Sequence, residues 1–215
     1  MRNLTKSLLL LLVVFGFSSY AQTGQSKFEM GVKTGLQMVG AAQTADDFLK
    51  TSNYFERIAQ VETKEWLPPY YAAYGYLHAG LSTNNKVLQD QYFDLALVQI
   101  AGAEARDAEN SEIYALKGYV QFMKMSVDPQ PRLSMIGDAT ASLARAETLN
   151  PENPRIYLIN GQNTFYTPEA FGGGKKKAKP ILENAVAKFA IFKPATEIVP
   201  AWGAARAKAL LAQCN

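Results

Sequence analysis

The chain of 215 residues has one cysteine, Cys214, and one histidine, His78, and both shortages exclude chemistry. A lone cysteine forms no intrachain disulfide, so stability has to come from packing. A lone histidine must serve in any His-based metal site, Ser-His-Asp triad or Cys-His pair. Cys214 is remote in sequence, and no HExxH, CxxC or paired-carboxylate pattern occurs, so no catalytic residue and no metal site is expected. Charge of one sign is also scarce. The 22 Lys+Arg nearly match 19 Asp+Glu, which does not suggest nucleic-acid binding. Long apolar runs are missing after the first 21 residues, so no second segment is long enough to span a bilayer.

Residues 1–21 read as a secretory signal: Arg2 and Lys6, an apolar run from Leu8 to Phe17, then Ser19 and Ala21 as a small-x-small cleavage site. The expectation is an exported, periplasmic protein with no transmembrane anchor after the signal is removed. No cysteine follows the run to carry a lipid. Residues 22–27 are polar and are expected to be disordered.

What the remaining chain has is a repeat. Tyr71, Tyr114 and Tyr157 fall 43 residues apart, and so do Gly75, Gly118 and Gly161. The tyrosine and glycine of each pair lie four apart and share a helical face. A fixed period of this size marks one helical hairpin copied and stacked, because a single hairpin cannot bury its own apolar face. The second helices repeat as well: Ala96, Ile100, Ala103 and Ala108 correspond to Ala139, Leu143, Ala146 and Pro151. Ala178, Leu182 and Ala185 keep the spacing in the last hairpin. Small–large–small at intervals of four and three lets neighbouring helices approach and fills the gap with one aliphatic side chain.

The predicted fold is all-α: antiparallel helix hairpins at about 28–66, 69–108, 111–151 and 154–192, stacked as a short solenoid, with a closing helix at 201–213. Thr44-Ala45-Asp46-Asp47 fits a capping box. Asn153 and Pro154 fit a cap followed by a first-turn proline. The first hairpin lacks the tyrosine–glycine pair, as terminal repeats often do.

This pattern resembles the tetratricopeptide (TPR) repeat family over about residues 69–190. Ala139, Leu143, Ala146, Leu149 and Pro151 match its second-helix signature, and the Tyr71 and Gly75 series match its first helix. The period departs from the family's ~34 residues, with longer loops at 82–86, 127–133 and 167–174 making up the excess. The segment Thr167 to Lys175 also resembles a loop of secreted bacterial TPR-like proteins, some of which accompany tripartite substrate-binding transport systems.

The resemblance implies a non-enzymatic, cofactor-free scaffold or adaptor that binds another protein or an extended peptide along the face lined by its first helices. Tyr76, Tyr119 and Gln162 would face that groove, with Phe122 and Phe165 three residues beyond the last two. Glu112 and Arg155 would add charge selectivity. Each of these aromatics also suits packing between hairpins.

A second candidate is Gly172, Gly173 and Gly174 followed by Lys175 and Lys176, where a helix start, glycine backbone and cations together suit an acidic ligand. It lacks the GxxxxGK[ST] pattern of a phosphate loop, and a solvated lysine cluster is the plainer reading. The alternative function is a carrier or accessory protein binding a small anionic solute for a transport system. His78 fits a partly buried helix position with a satisfied ring nitrogen.

Overall fold

The structure, a computed structural model, describes residues 18–214. Those residues form nine α-helices and no strand: α1 (Ser18–Ala41), α2 (Ala45–Val61), α3 (Leu67–Leu81), α4 (Lys86–Glu104), α5 (Ser111–Val127), α6 (Ser134–Leu149), α7 (Pro154–Tyr166), α8 (Lys175–Ile191) and α9 (Ala204–Ala212). Residues 1–17 of the signal-like segment lie outside the described residues. Residues 22–27 fall inside α1, which continues N-terminally from the helix expected at Phe28.

Several helices start where local chemistry satisfies their first N–H groups. Thr44 and Asp47 form the capping box, each side chain accepting from the other's backbone N–H at 3.2 Å. Pro68 and Pro69 occupy the first turn of α3, where a missing N–H costs nothing. Asn110 caps α5 and Asn153 caps α7, a further pair 43 residues apart.

Short connections pair α1 with α2, α3 with α4, α5 with α6, and α7 with α8, and the hairpins stack in chain order with α9 behind α8. The repeat glycines mark the closest approaches. A Cβ on Gly118 would lie 2.8 Å from Leu143 Cγ and 3.0 Å from the Ala139 carbonyl, and one on Gly161 would lie 2.6 Å from Leu182. In both, the neighbour is the second helix of the same hairpin. Gly75 differs: its Cβ would meet Ser52 Oγ at 2.3 Å, in α2 of the preceding hairpin. The position that extends the series back into α1 is Val32, fully buried.

The core is one large cluster through α1–α5, including Phe55, Tyr70, Tyr71, Leu77 and Phe93, continued by smaller clusters between α5–α7 and α7–α9. Trp202 packs against all three. It sits in the non-repeating segment between α8 and α9, which crosses the first helices. Tyr71 Oη donates to the Ile198 carbonyl at 2.8 Å, and Trp202 Nε1 donates to Tyr70 Oη at 2.9 Å. Arg155 donates to the Pro200 carbonyl. The chain thus fills part of its own inner face.

Candidate functional site

Beside this crossing segment lies a cavity of about 1350 Å³. α3 contributes Tyr74 and His78; α5 contributes Tyr119, Phe122 and Met123. α6 and the loop before it add Leu133, Ile136 and Leu143, and α7 adds Leu158, Gln162 and Tyr166. Phe171, Trp202 and Arg206 complete the wall. The helical period accounts for the α3 set, because Tyr74 and His78 lie one turn apart and share a face.

Much of this lining is apolar side chain left uncovered. Phe171 is 82% exposed, Leu133 60%, Tyr166 54% and Ile136 42%. A concave apolar surface of this kind makes the cavity the candidate binding site.

Polar groups are few and distinct. His78 lies 5.1 Å from the ring of Phe48 and 4.4 Å from that of Tyr74, centroid to centroid. Those rings deny the imidazole the water that would hold a charge, and burial lowers its pKa to about 4. No hydrogen bond to its ring occurs among the described residues, so the satisfied nitrogen expected from sequence is not found. Burial raises the phenols of Tyr74 and Tyr119 above their ordinary value. Asn163 Oδ1 is buried beside the cavity without a partner. Among the described lining residues, Arg206 carries the one formal charge. Its Nε donates to Gln162 Oε1 at 2.9 Å and its Nη2 to Tyr166 Oη at 2.8 Å.

The sequence candidates divide. Tyr119, Phe122 and Gln162 meet at the cavity. Tyr76 does not. It is 5% exposed in the main core, and its Oη donates to Glu56 at 2.9 Å. The reason is the exceptional crossing of Gly75, which brings α2 rather than α4 against that turn of α3. Arg155 is 0% exposed, ion-paired to Glu112 at 2.9 Å, and its guanidinium lies over the rings of Phe192 and Trp202. Neither charge of that pair lines the groove. Phe165 packs into the α7–α9 cluster, with Lys175 Nζ over its ring.

Gly172 and Gly173 line the cavity; Gly174, Lys175 and Lys176 do not. The expected anion-binding backbone is already engaged. The N–H groups of Gly172, Gly173 and Gly174 donate to the carbonyls of Glu169, Pro168 and Thr164. Positive φ at Gly172 and Gly174 builds this closed turn, so the glycines shape the loop rather than present N–H groups to a ligand. Sequence reasoning missed Trp202, His78 and Arg206 as lining residues. None lies in the repeat signature, and only the singularity of His78 and the rarity of tryptophan marked them.

No group of three or more His, Cys, Asp or Glu side chains suited to a metal ion occurs among the described residues. None of their helices is long and apolar enough to cross a membrane. Comparison with known proteins finds no matching family model and no matching curated protein. The comparison with solved structures does find a likeness. The chain is similar to the HusA haemophore from Porphyromonas gingivalis. The TM-score is 0.74 at 29% sequence identity, covering 92% of this chain and 93% of that one.

Proposed function

We propose that this chain is an exported, non-enzymatic carrier whose cavity takes haem or a related porphyrin. The observation that carries the reading is the run of exposed apolar side chains around a cavity of about 1350 Å³, somewhat above the ~300–1,000 Å³ of ordinary small-molecule sites. A rigid, flat, largely apolar ring system covers such a surface while losing little conformational freedom. The similarity to a haemophore, a haem carrier by its name, supports the same ligand class. The TPR-like repeat then serves as a frame holding the walls apart, and residues 1–21 direct the chain to the cell envelope, with the periplasm as its site of action.

An extended peptide is less well supported as the occupant. Tyr76, Glu112 and Arg155 are spent on internal contacts, and residues 198–202 already cover part of the inner face. The small-solute carrier is therefore preferred over the protein scaffold.

The test is a titration of the purified chain with haemin, following tryptophan fluorescence and the Soret band. Trp202 lines the cavity, so saturable quenching with a perturbed Soret band is the expected result. A linear, non-saturating response in both signals removes the reading.

A further inference from the structure

We infer that Arg206 is the carboxylate anchor of the cavity, so that the ligand is an amphiphile whose acid edge lies at α9 and whose apolar body covers Tyr119, Phe122 and Leu143. This rests on the porphyrin-carrier reading and adds to it which chemical edge is recognised, by which residue, and in which orientation.

The charge inventory carries the argument. Arg132, Arg145 and Arg155 each meet a carboxylate, of Asp90, Glu109 and Glu112 respectively, while Arg57 and Arg106, which meet none among the described residues, lie outside the cavity lining. Arg206 meets two neutral acceptors instead, the Gln162 amide oxygen and the Tyr166 hydroxyl. These two lie four residues apart on α7, so one helical face holds the guanidinium from below. Neutral acceptors fix the geometry of a cation without cancelling its charge, and a planar guanidinium suits carboxylate recognition. No Asp or Glu lines the cavity among the described residues. The charge therefore stands at the edge of an apolar wall, where attraction to an anion is stronger than in bulk water.

The backbone explains how Arg206 reaches this place. Gly203 starts α9 at φ 115°, a conformation that favours glycine, and a Cβ there would lie 2.6 Å from Phe189 and 2.9 Å from Leu158. The sharp entry after Trp202 brings the first turn of α9 against α7 and sets Arg206 beside Gln162. Tyr119 lies against the same amide, so the anchor adjoins the aromatic wall on which a ring would rest.

The experiment compares protoporphyrin with its dimethyl ester, which keeps the ring and removes both charges. Affinities are read by tryptophan quenching for the wild type, Arg206→Gln and Arg206→Lys. Arg206 is exposed and outside the core, so circular dichroism and melting temperature should match across the three. The wild type should prefer the acid about tenfold or more, Arg206→Gln should bind both alike, and Arg206→Lys should keep part of the preference. Equal affinity of the wild type for acid and ester, or a preference that survives in Arg206→Gln, overturns the anchor and leaves the porphyrin reading standing. Binding of neither compound by the wild type overturns both.

Discussion

Arg155 and Glu112 hold the same position in successive hairpins and are joined by a hydrogen bond of 2.9 Å from Nη1 to Oε1. Each lies two residues beyond a capping asparagine, Asn153 and Asn110. The repeat has placed an acid in one copy and a base in the next, so stacking the copies makes the pair. Arg155 also ties the crossing segment down through the Pro200 carbonyl and the face of Trp202. Two buried atoms are left without partners, Glu112 Oε2 and Arg155 Nε. A pair this dry contributes little net stability, but breaking it strands a charge.

Arg155→Met should therefore cost roughly 3–5 kcal/mol, because Glu112 remains buried and unpaired. Adding Glu112→Leu should recover most of that loss. Urea denaturation of the two variants checks it; a double variant no more stable than Arg155→Met would show that the contact to Pro200, rather than the charge balance, matters.

The pH dependence of stability should contain two opposing contributions. Burial raises Glu112 from 4.5 to about 7, against the pull of Arg155. Between those values the folded state keeps a proton that the unfolded state has released, so its contribution falls as pH rises. Burial lowers His78 from 6.5 to about 4, so there the unfolded state binds the extra proton and stability rises with pH. The two trends oppose each other between 4.5 and 6.5. In melting curves across that window, Glu112→Gln should reveal a rise with pH and His78→Gln a fall, each relative to a flatter wild type. Parallel profiles for all three proteins would contradict both assignments.

Gly118→Ala should destabilise by roughly 1–3 kcal/mol through overpacking. The new methyl meets Leu143 and the Ala139 carbonyl, and the latter is helical backbone that yields only if α6 moves. Gly137→Ala provides the control, because nothing lies within 4 Å of that Cβ. Equal melting temperatures for the two variants would refute the close-crossing account.

Cavity and core tyrosines should separate in binding. Tyr119→Ala or Phe122→Ala should weaken porphyrin capture by about tenfold, the scale of losing an aromatic contact. Tyr76→Phe should leave it within about twofold, since that change removes only the hydroxyl bonded to Glu56. A larger loss in Tyr76→Phe than in Tyr119→Ala would move the site to the far side of α3.

The sequence alone determined the helix hairpins, the 43-residue spacing of their glycines and the caps at Thr44 and Asn153. These follow from local rules: turn periodicity, first-turn proline, and small residues where a neighbouring helix crosses. Even so, equivalent positions diverged. Tyr76 entered the core while Tyr119 lined the cavity, because Gly75 crosses the preceding hairpin and Gly118 its own. Only the tertiary structure decided that the segment after α8 crosses the inner face, and that Trp202 bonds to a tyrosine 132 residues away. A repeat specifies how each unit meets the next; it carries no record of where a unique stretch of chain comes to rest. The cavity, bounded partly by that stretch, was for this reason beyond the reach of the period.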